Sequence, residues 1–264
     1  MRTQPSVHWQ GQAWLRPGVG VFAGTSGGND RHAHHAHQMT VARSGMVTVE
    51  AENGRIEGPG VFVPSGRQHQ LRATGEVISI FVDPLFLAGR EGMTFPAQCE
   101  EVDFDECTHL LNAMTQMPNL QPLIDRLLRN AEFAAWARRD ERWPDVWREL
   151  LELAARGELP SRARLARLAC LSPSRFSHWF VEQAGLPLRA YRKWLRLLAA
   201  LSAVATGKDL TTAAHASGFA DASHLSRTFR AMFGIDPSTA LARLEWQDVP
   251  DPTGRPRTGT ALSF

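Results

Sequence analysis

Apolar residues along this chain follow two different rhythms. Over residues 1–85 they come in short runs broken by Gly, Asn and Pro: Gly18-Val19-Gly20-Val21-Phe22, Gln38 to Val41, Met46 to Glu50, Gly60 to Pro64 and Val77 to Val82. Strands this short, with turn formers between them, predict a β-barrel or sandwich. From Asp103 onward the spacing changes to three and four. Phe104, Cys107, Leu110, Leu111 and Met114 make one helical stripe, and Leu120, Leu123, Ile124, Leu127 and Leu128 make a second after Pro118-Asn119. A third stripe, Val146, Trp147, Leu150, Leu151 and Leu153, lies in a run from Pro144 to Ala155, whose proline suits the first helical turn.

The helical rhythm continues past Gly157-Glu158-Leu159-Pro160, the best boundary in the chain. Leu165, Leu168 and Ala169 start a first helix, Ser172-Pro173 pairs an N-cap with a proline at the first helical position, and Gly185 ends the helix begun at Ser174. Leu188 to Ala205 then reads as one long apolar-rich helix. The stretch from Asp209 to Ser238 has the pattern of a helix, a tight turn at Gly218 and a second helix. There Ala213 and Ala214 allow close approach, Phe219 plugs the turn, and Leu225, Phe229, Met232 and Phe233 share one face. The run Ser172 to Phe180 repeats Ala222 to Phe229, so two related helix-turn-helix units flank the long helix. The expected fold class is α+β, with domains at 1–100, 101–157 (a helical connector suited to pairing two subunits, or else to covering the strand-rich domain or packing on the C-terminal one) and 158–244, and a disordered tail at 245–264.

Charge sharpens this division. The whole chain carries +2, but residues 161–243 hold twelve Lys and Arg against four acids, a net of +8 that leaves −6 elsewhere. One domain is thereby suited to phosphate and the other is not. Cys99, Cys107 and Cys170 lack CxxC spacing, which argues against a disulfide framework or a thiolate zinc site. The chain has no run of eighteen apolar residues and its first residues lack a signal peptide's apolar core, so a cytoplasmic location with no membrane partner is expected.

The run Gly218-Phe219-x-Asp221-x-Ser223-x-Leu225-x-Arg227-x-Phe229-Arg230-x-x-Phe233-Gly234-x-x-Pro237 resembles the signature of AraC/XylS-type transcription regulators. That resemblance implies double-stranded DNA as a partner, RNA polymerase as a further one, a homodimer and no catalytic activity. It places the DNA contacts on the outward faces of the two recognition helices: Ser174, Arg175, Ser177 and His178 in the first, and Ala222, Ser223, His224, Ser226, Arg227 and Arg230 in the second. Arg227 suits bidentate contact with guanine, while Arg175, Arg230, Lys193 and Arg196 suit phosphates.

In the strand-rich half, Gly58-Pro-Gly-Val-Phe-Val-Pro64-Ser-Gly66-Arg-Gln-His69 resembles the second motif of cupins. His32-Ala33-His34 followed by Gln38 resembles their first motif, with glutamine where glutamate usually stands. The resemblance implies a cupin-like barrel serving as a sensor, with a divalent metal (Zn, Ni, Fe or Cu) on His32, His34, Gln38 and His69. His37 is a secondary candidate, and His35, on the alternate strand face, is expected to be exposed. A small organic effector bound without metal is a second reading, and a metal-dependent dioxygenase-like enzyme fused to a DNA-binding module is the rival from another class.

Overall fold

A computed structural model describes residues 9–16, 18–84, 98–101, 140–156 and 158–247. Two of the three helical stripes of the expected connector, Phe104 to Met114 and Leu120 to Leu128, lie outside the described residues, as do Cys107 and residues 248–264 of the expected tail.

The chain divides into two compact units, the first formed by residues 1–83, 92–131 and 229–250 and the second by 84–91, 132–228 and 251–264. In the first, β1 (Gln10–Arg16) and β2 (Val19–Thr25) form an antiparallel hairpin. The strands β3 (His37–Ala42), β4 (Val47–Ala51), β5 (Gly54–Gly58), β6 (Gly60–Val63), β7 (His69–Ala73), β8 (Glu76–Val82) and β9 (Glu100–Glu101) follow, and β10 (Leu244–Trp246) returns late in the chain to pair parallel with β1. Seven strands make one sheet in the order β10-β1-β2-β8-β3-β6-β9, and three make another in the order β5-β4-β7.

Apolar residues of both sheets meet in one core that includes Phe22 of β2, Val47 and Val49 of β4, Val61 and Val63 of β6, Leu71 of β7 and Val77 of β8. Alternation along β4, buried at Val47, Val49 and Ala51, is the period-two pattern of a half-buried strand. The chain crosses between sheets at Gly58-Pro59-Gly60, where proline lacks the amide a ladder needs.

Among the described residues the expected barrel does not close. Closure needs an unbroken ladder around the sheet, whereas the larger sheet ends on β9 and β10, two and three residues long, and the smaller on β5 and β7. The architecture is two open sheets over a shared core. Glu245 and Trp246, placed in the expected tail, instead belong to β10, whose backbone is satisfied by β1.

The second unit is helical. It contains α1 (Trp143–Ala155), α2 (Arg162–Leu168), α3 (Pro173–Ala184), α4 (Leu188–Ala205), α5 (Leu210–Ala216) and the beginning of α6 (Ala222–Phe233); the end of α6 and α7 (Pro237–Leu241) fall in the first unit. The stripe predicted for α1 is buried at Val146, Trp147 and Leu150. It packs on the helices that follow: Trp143 meets Trp179 and Phe180 of α3 at 5.7 Å between ring centroids, Trp147 meets Tyr191 of α4 at the same distance, and Glu149 pairs with Arg164 of α2. Trp179 also donates to the Asp140 carboxylate at 3.0 Å. An amphipathic stripe demands a partner, and here that partner is the helix-turn-helix helices.

Candidate nucleic-acid interface and histidine cluster

Each helix of the two related units begins with a side-chain cap. Ser161 accepts from the Arg164 amide, Ser172 from Arg175, Asp209 from Thr211 and Thr212, and Asp221 from His224 at 2.6 Å. Each cap satisfies amides that a helix start leaves unpaired. The turn of the second unit has Gly218 at φ 73°, and the first unit places Cys170 at the matching point with φ 52°. The left-handed conformation is thus used twice, once by a residue that bears a side chain.

Helix α3 buries Phe176, Trp179 and Phe180, leaving Ser174, Arg175 and His178 exposed and Ser177 half-buried, its hydroxyl donating to the Pro173 carbonyl at 3.0 Å. Helix α6 buries Leu225, Thr228, Phe229 and Met232. Ser223, Arg227 and Arg230 are exposed there, and Ala222, His224 and Ser226 are half-buried. Every sequence-predicted contact residue therefore lies off the apolar stripe, at the three- and four-residue spacing that gathers side chains on one helix face. Besides Ser177, two of them have partners: the His224 ring stands edge-on to Phe219 at 5.2 Å, and Arg230 donates to the Asp30 carboxylate at 2.8 Å. Trp179 and Trp194 are buried, as their place on the stripe predicts.

In the first unit, burial alternates without interruption from His32 to Thr40. His32, His34 and Gln38 face inward and meet His69, which the isolated bridge between His32 and His69 holds in register. The three histidines offer ring nitrogens that all lie within 4.8 Å of one another. His35 and His37 fall on the other phase and are half-buried; the His37 ring accepts from the Ser65 amide at 3.2 Å and stacks on Phe62, apart from the cluster.

The backbone determines the tautomers. The Nδ1 atoms of His32, His34 and His69 stand 2.9, 2.8 and 2.9 Å from the carbonyls of Asp30, Ala36 and Arg67. A carbonyl only accepts, so each Nδ1 carries the proton and each Nε2 presents a lone pair. Burial, reinforced by neighbouring His34, holds His32 down at about 4 and His69 at about 2; burial also lowers His34. All three rings are consequently neutral at pH 7. His69 Nε2 is buried with no hydrogen-bond partner, and His34 Nε2 faces Gln38 Oε1 at 2.8 Å, a meeting of two lone-pair atoms. A turned amide or a cation shared by both relieves that second contact. The Gln38 amide nitrogen continues to Thr40, and Thr40 to Ser79, at 3.0 and 2.8 Å.

The sequence reading missed Asp30, Thr40 and Ser79 around this cluster. Thr40 had a signal in the strand phase, since residues 32, 34, 38 and 40 share one parity, whereas Ser79, on another strand, had none. Asp30 had none, because its two contacts beyond the histidine segment are with Arg230 and Gly234.

Comparison with known proteins bears on both regions. The helix-turn-helix domain family matches residues 165–243. The HTH-type transcriptional regulator NimR of Escherichia coli is 24% identical over 230 residues, which cover 81% of this chain and 82% of that protein. The arabinose operon regulatory protein of Salmonella typhimurium is 34% identical over 84 residues, 31% of this chain and 30% of that one. Among solved structures, apo ToxT of Vibrio cholerae has a TM-score of 0.57 at 13% identity, covering 86% of this chain and 98% of that chain. ToxT with a bound unsaturated fatty acid scores 0.53 at 13% identity, over 92% and 98%.

Proposed function

We propose that this chain is a DNA-binding transcription regulator of the AraC type, a reading supported by the helix-turn-helix match and the likeness to NimR, and that it reads an operator through α3 and α6 under the control of a divalent metal ion held by its N-terminal unit. The observation that carries the metal reading is the commitment of three Nδ1 atoms to backbone carbonyls, which leaves the Nε2 lone pairs of His32, His34 and His69 in one buried cluster. His32, His34 and His69 would hold the ion, with Gln38 Oε1 as a further donor. Imidazole nitrogen with amide oxygen suits Zn, Ni, Fe or Cu. When bound, the ion would supply positive charge beside these lone pairs, and the carbonyls of Asp30, Ala36 and Arg67 hold the ring tautomers that leave them free. The domain assignment is a cupin-like sensor at 1–100, a connector at 101–157 and a DNA-binding domain at 158–244.

On DNA, Arg227 grips a guanine edge, and Ser174, Ser177, His178, Ser223, His224 and Ser226 add hydrogen bonds while Ala222 meets a thymine methyl. Arg175, Lys193, Arg196 and Arg230 contact phosphates and supply affinity without sequence information. Two recognition helices held about 34 Å apart by α4 enter successive major grooves of one DNA face. The protein acts as a homodimer and with RNA polymerase. A second reading, an organic effector in place of the ion, is supported by the unsaturated fatty acid in ToxT and by the buried Gln38, Thr40 and Ser79 polar chain.

Selection of binding sites from a random duplex pool, with elemental analysis of the purified protein, tests the reading. Enrichment of a motif with two elements one duplex turn apart, with one divalent ion per chain, is the expected result. No enriched motif removes the operator assignment. Absence of any retained ion, in protein that responds to an organic compound, favours the second reading.

A further inference from the structure

The histidine cluster and the end of recognition helix α6 are joined through one residue, Asp30. Residues 229–250 belong to the same compact unit as the sheets, so these contacts are internal to it. The Asp30 carbonyl accepts from His32 Nδ1 at 2.9 Å, its amide donates to the Gly234 carbonyl at 2.7 Å, and its carboxylate accepts from Arg230 Nη2 at 2.8 Å. Gly234 approaches so closely that a Cβ there would lie 2.2 Å from the Asp30 carbonyl oxygen and 2.8 Å from His32 Nδ1. The ring of Phe233 completes the contact, with centroids 6.2 Å from His34 and 6.0 Å from Phe81.

We propose that Asp30 makes occupancy of the histidine cluster and phosphate binding by Arg230 mutually antagonistic. This rests on the metal reading above. A cation on the His32 Nε2 lone pair withdraws electron density from the ring, so the Nδ1 proton becomes a stronger donor to the Asp30 carbonyl. That bond holds Asp30 in the position from which its carboxylate grips Arg230. An Arg230 so gripped is withheld from a DNA phosphate, because its Nη2 is already donating to Asp30 and its charge is paired with that carboxylate. By linkage, DNA that engages Arg230 weakens the metal site by the same factor.

Zinc sulfate and a random-sequence duplex are sufficient probes, since phosphate contacts need no operator. Zinc binding is measured by competition with a chromophoric chelator, and DNA affinity by fluorescence anisotropy in zinc or in EDTA at fixed salt. Wild-type protein is expected to bind one zinc ion per chain and to lose about two- to fivefold in DNA affinity with zinc, the scale of an exposed ion pair. Asp30→Ala keeps the amide and carbonyl that contact Gly234 and His32, so it is expected to retain zinc while losing most of the zinc effect on DNA. Arg230→Gln is expected to bind DNA more weakly in EDTA and to be indifferent to zinc. Wild-type protein that binds zinc with unchanged or increased DNA affinity overturns the antagonism and leaves the metal reading standing, as does an Asp30→Ala protein with the full wild-type zinc effect. Failure of wild-type protein to bind zinc overturns both.

Discussion

The amide of Asp30 donates to the carbonyl of Gly234 across 2.7 Å, and the glycine stands at φ 70° with no space for a side chain against Asp30. Glycine is needed there twice over, first to end α6 in the left-handed conformation and then to admit Asp30. Gly234→Ala is therefore expected to lower stability by about 1–3 kcal/mol, from left-handed strain and the displaced Asp30. Thermal unfolding of the two proteins side by side checks this; equal midpoints would show that the approach is not maintained in solution.

Cys170 is the opposite case. It is exposed and adopts φ 52° where the related turn uses Gly218. Cys170→Gly is expected to stabilise the protein by about 0.5–1 kcal/mol, the left-handed cost of a Cβ exceeding the entropic cost of glycine. Denaturant titration provides the measure, and a lower midpoint would contradict it.

Removal of a ligand should be visible without DNA. Zinc at a hundredfold its Kd is expected to stabilise wild-type protein by about 2.7 kcal/mol and to leave His69→Ala unmoved. A thermal-shift series with zinc and EDTA reads this directly, and an equal zinc shift in both proteins would place the ion elsewhere.

Acid should destabilise the EDTA-treated protein through the same rings. His32 and His37 are lowered from 6.5 to about 4 and His69 to about 2, with burial the largest cause. The unfolded chain then binds protons before the folded one does, so ΔG of unfolding falls as pH falls. The contribution is fully present above the unfolded value of 6.5 and is lost progressively on the way down to about 4 for His32 and His37 and about 2 for His69. Unfolding midpoints at pH 7 and pH 5 are expected to differ in that direction, and His37→Gln should reduce the difference.

Among the residues proposed to contact DNA, Arg227 and Lys193 should separate cleanly. Arg227→Ala is expected to cost about 1–3 kcal/mol on a selected operator and to relax preference at one base, whereas Lys193→Ala should weaken all sequences alike and reduce the salt slope by about 1. Anisotropy titrations on matched and single-mismatch duplexes at several salt concentrations distinguish these; identical profiles for the two variants would remove the base-reading role from Arg227.

Sequence alone determined the local features of this protein. Caps such as Ser172, the turn at Gly218, the stripe of α6 and the inward phase of His32, His34, Gln38 and His69 are legible because they depend on neighbours within a few residues or on the fixed periods of strand and helix. Tertiary structure decided what pairs with what. The sheets stay open because their ladders end on short strands, and Leu244–Trp246 becomes a strand only by hydrogen bonding to β1. The stripe of α1 announced a missing partner without saying that Trp179, Phe180 and Tyr191 would supply it. Arg230 read as a free cation on an outward face, yet it meets Asp30, 200 residues away in the chain. Contacts of that separation arise from the summed packing of the whole unit, and no local pattern encodes them.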